Sequence, residues 1–432
     1  MSFLKRLFGF VSRSEVVKPQ VQSPNVRLHS AAPAARTVLV SWQEVIDSRS
    51  SIAGYRLPAS PVLAGSVISG PQLLDALEGE KVRELAERRL VLVPLTVQQW
   101  KSADFRSLVS PQIFFQLVGS QLSPNVLGEV IREIRASGAK VGVDAALFGM
   151  LEAAGEMVDL LVLEAQGIDL AVFEEKIRTI RQGHPKLLLV VDGVDSWAEF
   201  RYFQAQGIGF CMGGFAATPD QSEQSSRMSQ SRLVVLDMLN QLRSDVDLAK
   251  VAATAKRDPA VVLKLLEMAN SPLSGLSRRV SGLEDAIMLL GRDAVYRWLT
   301  LALFRIDAQG GRDETLLVIA LSRASFLESL APKSDKKVAG ELFLVGMLSV
   351  VDSLLGLPMV QVLEKMHLPD EVAAALLRSE GRYARFLLLT IAMERCRIEY
   401  AITLAGLLEI DPAHLLNFYS EAMKWATSDL QG

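Results

Sequence analysis

The hydrophobic pattern of the chain changes near residue 220, and this change constrains the fold more than any other feature. From Thr37 to about Pro219, short apolar runs alternate with amphipathic helical segments. Strands that alternate with helices predict a parallel β/α architecture, and about seven such units favour a closed, shortened (β/α) barrel. The predicted strands span 37–42, 90–95, 113–118, 140–144, 160–164, 187–192 and 208–211.

Beyond a polar stretch at 219–230, strand signals vanish and helix signals dominate. An aspartate followed by proline predicts the capped first turn of a helix. Ser and Glu at capping-box spacing predict the start of another helix, and glycine favours the end of a helix. These signals stand at Asp258-Pro259, Ser281 and Glu284, Gly291, Pro358, and Pro369. The fold class is therefore α/β plus all-α, with the barrel followed by an all-helical domain.

The length of 432 residues predicts two or three domains. We expect an N-terminal segment and linker at 1–36, with a short amphipathic stretch over its first 13 residues, then the barrel at 37–219. A linker at 220–229 precedes the helical domain at 230–432. Because the linker is polar, we expect two separately cored domains that move relative to each other.

Charge and cysteine content exclude several classes of function. The 46 Lys and Arg residues nearly balance 49 Asp and Glu, and a net charge of −3 argues against nucleic acid as a partner. No apolar run approaches the ~20 residues of a transmembrane helix. Cys211 and Cys396 lie far apart without a CxxC pair, so neither disulfides nor thiolate zinc sites are indicated, and a cytoplasmic location is expected.

Taken alone, the sequence contains little catalytic chemistry. No phosphate-binding loop or nucleophile elbow stands at a strand-to-helix turn. The four histidines, none of which forms an HxH, HExxH or HD pair, are His29, His184, His367 and His414. Carboxylates at strand ends remain, because barrel chemistry gathers at the C-terminal ends of the strands. Asp144, Glu164 and Asp192 are these residues, and they form either a hydrolytic metal site or a structural cluster.

Motifs in the first half resemble those of EAL domains, which hydrolyse cyclic di-GMP in a modified barrel. They lie at 54–57, 92–95, 142–144, 191–195 and 207–219. The second half resembles the HDOD domain, through Asp258-Pro259, Lys264-Leu265-Leu266, Asn270-Ser271, the 281–291 stretch and Phe343-Leu344-Val345-Gly346. The tandem order is similar to that of bacterial signalling proteins in which a degenerate EAL-like domain precedes HDOD.

The EAL resemblance implies a cage of oxygen ligands for Mg²⁺ or Mn²⁺. Arg56 matches the glutamate of the signature motif, Pro94 an asparagine, and Gln116 a further glutamate. Of a pair of aspartates, Asp144 is kept and the second is Ala145. Most of these positions therefore lack a ligand carboxylate.

The remaining EAL positions show the same loss. Val162 matches a lysine, Glu164 its companion aspartate, Asp192 a later glutamate, and Met212 a glutamine. A pocket that retains two or three carboxylates and gains Arg56 favours an ion-pair cluster over a metal site. We expect Arg56 to pair with Asp144 or Asp192.

The HDOD resemblance points to a second place where metal ligands are missing. Related metal-dependent phosphohydrolases use a His-Asp dipeptide, and the matching residues here are Ser349 and Val350. Neither holds a divalent cation well. The nearby Asp352 is predicted to form a local hydrogen bond.

The leading hypothesis is a non-enzymatic signalling adaptor without a cofactor, which contacts other signalling proteins through the HDOD domain. Exposed candidates for that contact are Arg278-Arg279 and the 333–337 loop. Two alternatives remain open: a sensor that binds cyclic di-GMP through Arg56 without turnover, and an atypical cyclic di-GMP phosphodiesterase.

Overall fold

A closed barrel of eight short strands forms the first half of the molecule. The computed structural model describes residues 37–62, 65–119, 123–152, 158–167, 169–222, 228–270, 280, 282–308, 310–332 and 334–428. The strands of the barrel are β2 (Gln43–Asp47), β3 (Ile52–Arg56), β5 (Leu90–Leu95), β6 (Ile113–Leu117), β7 (Lys140–Asp144), β8 (Leu160–Glu164), β9 (Leu188–Asp192) and β10 (Phe210–Cys211). They close in the order β10-β2-β3-β5-β6-β7-β8-β9. The predicted barrel is thus confirmed.

The first predicted strand does not belong to the barrel. β1 (Val38–Val40) pairs instead with β4 (Ala59–Pro61) in a separate two-stranded sheet. The barrel is entered by β2, which sequence patterning missed and which runs antiparallel to both β3 and β10. The β2–β3 hairpin was missed because Gln43, Glu44 and Asp47 interrupt its apolar pattern. Its turn is closed by Asp47, whose Oδ1 accepts from the backbone N–H groups of Arg49 and Ser51.

Helices follow most of the barrel strands, and several start at recognisable caps. Ser69, Thr96 and Ser196 each form a complete capping box at the start of a helix. These helices are α1 (Gly70–Gly79), α2 (Val82–Leu85), α3 (Val97–Ser102), α4 (Pro124–Ala136), α5 (Ala145–Glu152), α6 (Leu170–Gly183) and α7 (Trp197–Ala205). Single 3₁₀ turns lie at Phe105–Leu108 and Gly214–Ala217.

Every element of regular secondary structure in the described part of the second half is a helix. Its helices are α8 (Gln230–Arg243), α9 (Leu248–Ala255), α10 (Pro259–Asn270), α11 (Leu283–Leu290), α12 (Arg292–Arg305), α13 (Gly311–Ser329), α14 (Lys336–Leu348), α15 (Val351–Leu355), α16 (Met359–Leu363), α17 (Asp370–Arg378), α18 (Ala384–Glu394), α19 (Ile398–Leu407) and α20 (Pro412–Ser428). None of the described helices is long and apolar enough to cross a membrane.

Most of the predicted helix signals act as expected. Asp258 accepts from the N–H of Ala260 at 2.9 Å at the start of α10, and Pro358 and Pro369 immediately precede α16 and α17. The start of α11 is a correction. Its N-cap is Gly282, which forms no side-chain cap, whereas Ser281 lies outside the described residues. Gly291 ends α11 with a positive φ of 77°.

One hydrophobic core runs from the outer face of the barrel into the helices. Trp42, just before β2, and Leu327 of α13 belong to the same cluster of buried side chains. Thr315 donates its hydroxyl to the carbonyl of Ser50 at 2.9 Å, and Ser353 donates to the carbonyl of Ala217 at 3.1 Å. The expectation of separately cored halves is therefore wrong, because these helices cover apolar barrel surface that would otherwise face water.

Candidate functional site

The barrel interior is filled by an apolar layer of side chains that point inward. It comprises Val45, Leu90, Leu92, Phe114, Leu160, Val162, Val190 and Met212. Side chains alternate between the two faces of a strand, so residues two positions away point to the same side. This alternation places Gln43, Pro94, Gln116, Glu164 and Asp192 on the inward side next to the apolar layer, toward the C-terminal ends of the parallel strands. We call this end of the barrel its mouth.

Arg56 lies at the mouth and forms its central ion pair. Its Nη1 lies 2.6 Å from Oδ2 of Asp192, and both side chains are about one-fifth exposed. Arg56 Nε also donates to Oε1 of Gln116 at 3.1 Å. The expected pairing of Arg56 with a surviving carboxylate is thus present, and Asp192 is the partner.

Gln43 completes this network, although the sequence analysis did not select it. Its Nε2 donates to Oδ1 of Asp192 at 2.9 Å, while its Oε1 lies 3.5 Å from Nη1 of Arg56. Oδ1 of Asp192 accepts in addition from the N–H of Gly193. Gln43 stands directly opposite Arg56 in the β2–β3 register. The alternation of side chains across a recognised hairpin could have identified it.

Among the described residues, the other matched carboxylates take no part in the hydrogen bonds of Arg56. Asp144 accepts from the N–H of Leu147 at 2.9 Å, in the first turn of α5. Glu164 is exposed at the end of β8, and no hydrogen bond or ion pair reaches its carboxylate from the described part of the chain. Ala145 is the first residue of α5 and has no side-chain oxygen. Glu164 stands directly opposite Asp192 in the β8–β9 register, but within the described residues Asp144, Glu164 and Asp192 do not form a group that could hold a metal ion.

These residues do not fit the divalent cation that an EAL phosphodiesterase requires. Mg²⁺ and Mn²⁺ need several convergent oxygen ligands, and a guanidinium among them repels the cation. Here Asp192 is already neutralised by Arg56, while Pro94 and Met212 contribute no carboxylate. Within the described residues, no group of three or more His, Cys, Asp or Glu side chains could hold a metal.

The mouth is approached by the turn that joins α18 to α19. Cys396 in this turn adopts a positive φ of 55° and lies near Ser41, Arg56 and Asp192. Burial raises the pKa of the Cys396 thiol to about 11, so the thiol is neutral at pH 7. The neighbouring Arg395 guanidinium lies against Gly214, where an added Cβ would stand 2.8 Å from its Nη2.

Neither cysteine is in a disulfide; Cys211 is buried and Cys396 is half-buried. Burial raises the pKa of Cys211 to about 12. The three described histidines form no metal-binding group. His184 packs against Phe148, His367 Nδ1 lies 3.2 Å from the hydroxyl of Ser244, and His414 lies 3.6 Å from Asp411. His29 lies outside the described residues.

The HDOD position that lacks His-Asp is occupied by an arginine network. The hydroxyl of Ser349 donates to the carbonyl of Gly346 and accepts from Nη1 of Arg323 at 3.0 Å. Val350 is fully buried. Arg323 forms a two-pronged pair with Glu394 of α18, with both N–O distances at 2.8 Å. As at the barrel mouth, a positive charge, here that of Arg323, stands at the position where the related phosphohydrolases would need a metal.

This network extends to the barrel through Glu44 of β2. Burial, followed by the nearby Glu394 carboxylate, raises the pKa of Glu44 from 4.5 to about 7, although Arg323 opposes the shift. Asp352 accepts from the N–H of Ser353 at 2.7 Å, as predicted, and burial raises its pKa. Sequence reasoning missed Glu44, Arg323 and Glu394, because no local pattern marks residues that meet only when two halves pack.

Of the surface residues considered for partner binding, some lie outside the described part of the chain. These are Arg278, Arg279 and Lys333. Lys337 lies in the first turn of α14 and not in the expected loop; it is strongly exposed, with its ammonium 3.9 Å from Oε1 of Glu341.

The fold and the sequence together define the class of protein: a closed eight-stranded barrel followed by an HDOD domain. Residues 230–379 match the HDOD domain model, so this part of the chain is an HDOD domain. The match ends before α18, α19 and α20.

Two curated proteins are similar to parts of this chain. The uncharacterized protein YuxH of Bacillus subtilis is 27% identical over 253 residues, which cover 57% of this chain and 61% of YuxH. The cyclic di-GMP phosphodiesterase CdgJ of Vibrio cholerae is 28% identical over 220 residues, which cover 50% of each chain. The chain thus spans only about half to three-fifths of the length of these relatives.

Solved EAL domains stand among the structural neighbours. The Xanthomonas citri FimX EAL domain, solved in complex with c-diGMP, is 16% identical, covers 42% of this chain and 87% of its own, and has a TM-score of 0.33. An EAL domain protein from Listeria monocytogenes is 13% identical, covers 44% and 91%, and has a TM-score of 0.34.

Proposed function

We propose that this protein is a non-enzymatic signalling adaptor, with a degenerate EAL-like barrel and an HDOD domain that binds other signalling proteins. The observation that carries the proposal is the ion pair between Arg56 and Asp192 at the barrel mouth. It supplies Asp192 with a counter-ion from the chain itself, at the position where the EAL resemblance implies a metal-binding glutamate. The similarity to the cyclic di-GMP phosphodiesterase CdgJ supports a role in cyclic di-GMP signalling.

The turn from α18 to α19 supports the same proposal. Cys396 lies near the Arg56–Asp192 pair, and Arg395 packs against Gly214 beside the mouth. The turn begins directly after Glu394, the last residue of α18, which pairs with Arg323. Arg56 is also less available to a phosphate while Asp192 and Gln116 bind it, which disfavours the sensor alternative.

Hydrolysis of cyclic di-GMP in the presence of Mg²⁺ or Mn²⁺ tests the proposal. We expect no turnover by the parent protein, and none by Arg56→Glu, because one substitution repairs one of several defects in a ligand set that acts as a unit. Arg106→Glu, at an exposed arginine far from the mouth, is the control for the charge change. Metal-dependent turnover that disappears in Asp144→Asn would establish an enzyme instead.

Titration calorimetry with cyclic di-GMP separates the adaptor from the sensor. The adaptor proposal predicts no heat of binding to the parent protein at millimolar nucleotide. Saturable binding that Arg56→Met weakens at least tenfold would favour a sensor.

The helical half is the proposed surface for partner proteins, since helices present grooves into which a partner segment can pack. Affinity capture with the full chain is expected to retain a partner that Lys337→Glu loses. Lys81→Glu, an exposed lysine on the barrel, is the matched control. A partner lost by the control and kept by Lys337→Glu would place the surface on the barrel.

A further inference from the structure

A cavity of about 360 Å³ lies between the barrel and the HDOD helices, at the end of the barrel opposite the mouth. Its barrel wall includes Ser51 and Ile52 at the start of β3, whereas Arg56 at the mouth ends that strand. Its helical wall comes from α10, α12 and α13. The volume falls within the range of pockets that enclose small molecules.

One side of the cavity is apolar. Ile52, Phe304 and Leu317 line it, and each is at least nine-tenths buried. This surface suits a flat or compact hydrophobic group that would otherwise be exposed to water.

Three cationic side chains line the same cavity. Arg305 lies at the end of α12, Lys264 on α10, and Arg89 just before β5. Arg89 donates to the carbonyl of Ile52, and no carboxylate of the described residues forms an ion pair with it. Lys264 has a distant pair with Glu267, at 3.4 Å, in which both side chains are more than one-third exposed. A ligand can compete for so weak a pair.

Of these three cations, Arg305 has the fewest hydrogen-bond and ion-pair partners among the described residues. No hydrogen bond or ion pair within 4 Å joins its guanidinium to another side chain of the described residues. Burial lowers the pKa of Arg305, and the carboxylate of Glu314 only partly offsets this effect. A desolvated guanidinium gains most from an added anion that binds its planar fork.

The acidic residues of the cavity do not balance these cations. Asp313 is buried and pairs with the buried Arg232, so its charge is already neutralised. Glu314 is exposed. Among the described residues that line the cavity, three cations therefore stand against one carboxylate, Glu314, that no ion pair neutralises. This excess suits a dianion better than a single carboxylate.

We propose that this cavity binds a small organic phosphate of mononucleotide size, with its phosphate on Arg305, Lys264 and Arg89 and its ring on the apolar wall. Arginine binds phosphate in a two-pronged geometry, which supports phosphate as the anion. The ligand would contact both halves of the molecule. Beside the cavity, the first residue of α13 lies very close to the barrel, since a Cβ added to Gly311 would lie 1.9 Å from Oγ of Ser51.

Titration calorimetry of the full chain with AMP, adenosine and inorganic phosphate tests this proposal. We expect AMP to bind saturably, and at least tenfold more tightly than adenosine or inorganic phosphate. Arg305→Met and Lys264→Met should each weaken AMP binding at least tenfold, whereas Arg378→Met, at an exposed arginine outside the cavity, should change it less than twofold.

Lys264→Met keeps the test decisive if Arg305→Met fails to fold, because Lys264 is partly exposed. Absence of AMP binding at millimolar concentration would overturn the proposal. Equal binding by the parent and Lys264→Met would also overturn it, as would inorganic phosphate that binds as tightly as AMP. None of these outcomes depends on the barrel mouth, so this test neither supports nor contradicts the proposed adaptor function.

Discussion

At the scale of single residues, the barrel mouth is organised around one guanidinium. Arg56 binds Asp192, Gln116 and Gln43, three side chains from three other strands. Because the two charges are only about one-fifth exposed, water screens them less than at an open surface. The pair therefore contributes to stability, and its removal leaves a partly buried charge.

A double-mutant cycle measures this pair. Arg56→Met and Asp192→Ala should each destabilise the protein, and the double variant should be less destabilised than their sum by about 1–3 kcal/mol. Urea unfolding at pH 7 gives the three free energies. The same cycle on the exposed pair of Lys81 and Glu84 is the control, with an expected coupling below about 0.5 kcal/mol. Additive effects of Arg56 and Asp192 would contradict the structural role of the pair.

Glu44 predicts a dependence of stability on pH. Its pKa is raised to about 7 in the folded protein from 4.5, so the folded state binds more protons than the unfolded state between these values. Stability from this group is therefore greatest below pH 4.5 and falls as the pH rises to 7, by about 1–3 kcal/mol in total.

Urea unfolding of the parent and Glu44→Gln between pH 5 and pH 8 checks this prediction. The variant should gain stability relative to the parent as the pH rises, since glutamine imposes no buried charge. Glu84→Gln, at an exposed glutamate, should follow the parent at every pH. A constant difference between parent and Glu44→Gln would show that Glu44 does not titrate in this range.

At the scale of elements, α13 and α14 pack at close range through Gly346. A Cβ on Gly346 would stand 2.4 Å from the backbone Cα of Ala324. Backbone cannot move aside as a flexible side chain does, so the two helices would separate. The motif that resembles HDOD thus includes a glycine for reasons of packing.

Gly346→Ala should destabilise the protein by about 1–3 kcal/mol through overpacking. Gly340→Ala is the matched control on the same helix, because its Cβ would meet nothing nearer than Arg297 Nη2 at 3.6 Å. The control should stabilise the helix by about 0.5–1 kcal/mol. Thermal and urea unfolding of both variants measure the two changes in stability. Equal effects of the two substitutions would contradict the close packing of α13 and α14.

At the scale of the whole molecule, the last helix is anchored to the barrel domain. Ser420 donates its hydroxyl to Glu80 at 2.7 Å, and Lys424 donates to the carbonyl of Gly79 at 2.8 Å. Glu80 is only 3% exposed and lies 3.3 Å from the ammonium of Lys424. Removal of this carboxylate leaves the buried Ser420 hydroxyl without this acceptor and Lys424 without this ion-pair partner.

Glu80→Ala should therefore destabilise the protein by about 1–3 kcal/mol and increase amide hydrogen exchange in α20. The control is Glu84→Ala, since Glu84 is exposed and pairs only with Lys81 in the described structure. Exchange measured by mass spectrometry locates the effect. Increased exchange confined to α1, with α20 unchanged, would show that the anchor does not hold the last helix.

The sequence by itself determined the strands at 90–95, 140–144 and 160–164, which match β5, β7 and β8 residue for residue. Buried parallel strands form continuous apolar runs, and such runs are visible locally. Arg56 and Pro94, which the EAL resemblance matches to ligand positions, have no carboxylate, and this was equally visible because it depends only on residue type.

Only the tertiary structure decided that Asp192, and not Asp144, binds Arg56. That choice follows from closure of the barrel, which brings β9 and β10 beside β2 and β3, whereas Asp144 caps its own helix. Likewise, Arg323, Glu394 and Glu44 meet only because α13 and α18 pack against the barrel. Such contacts join residues more than 70 positions apart, and their geometry depends on how whole elements pack, which no local sequence pattern encodes.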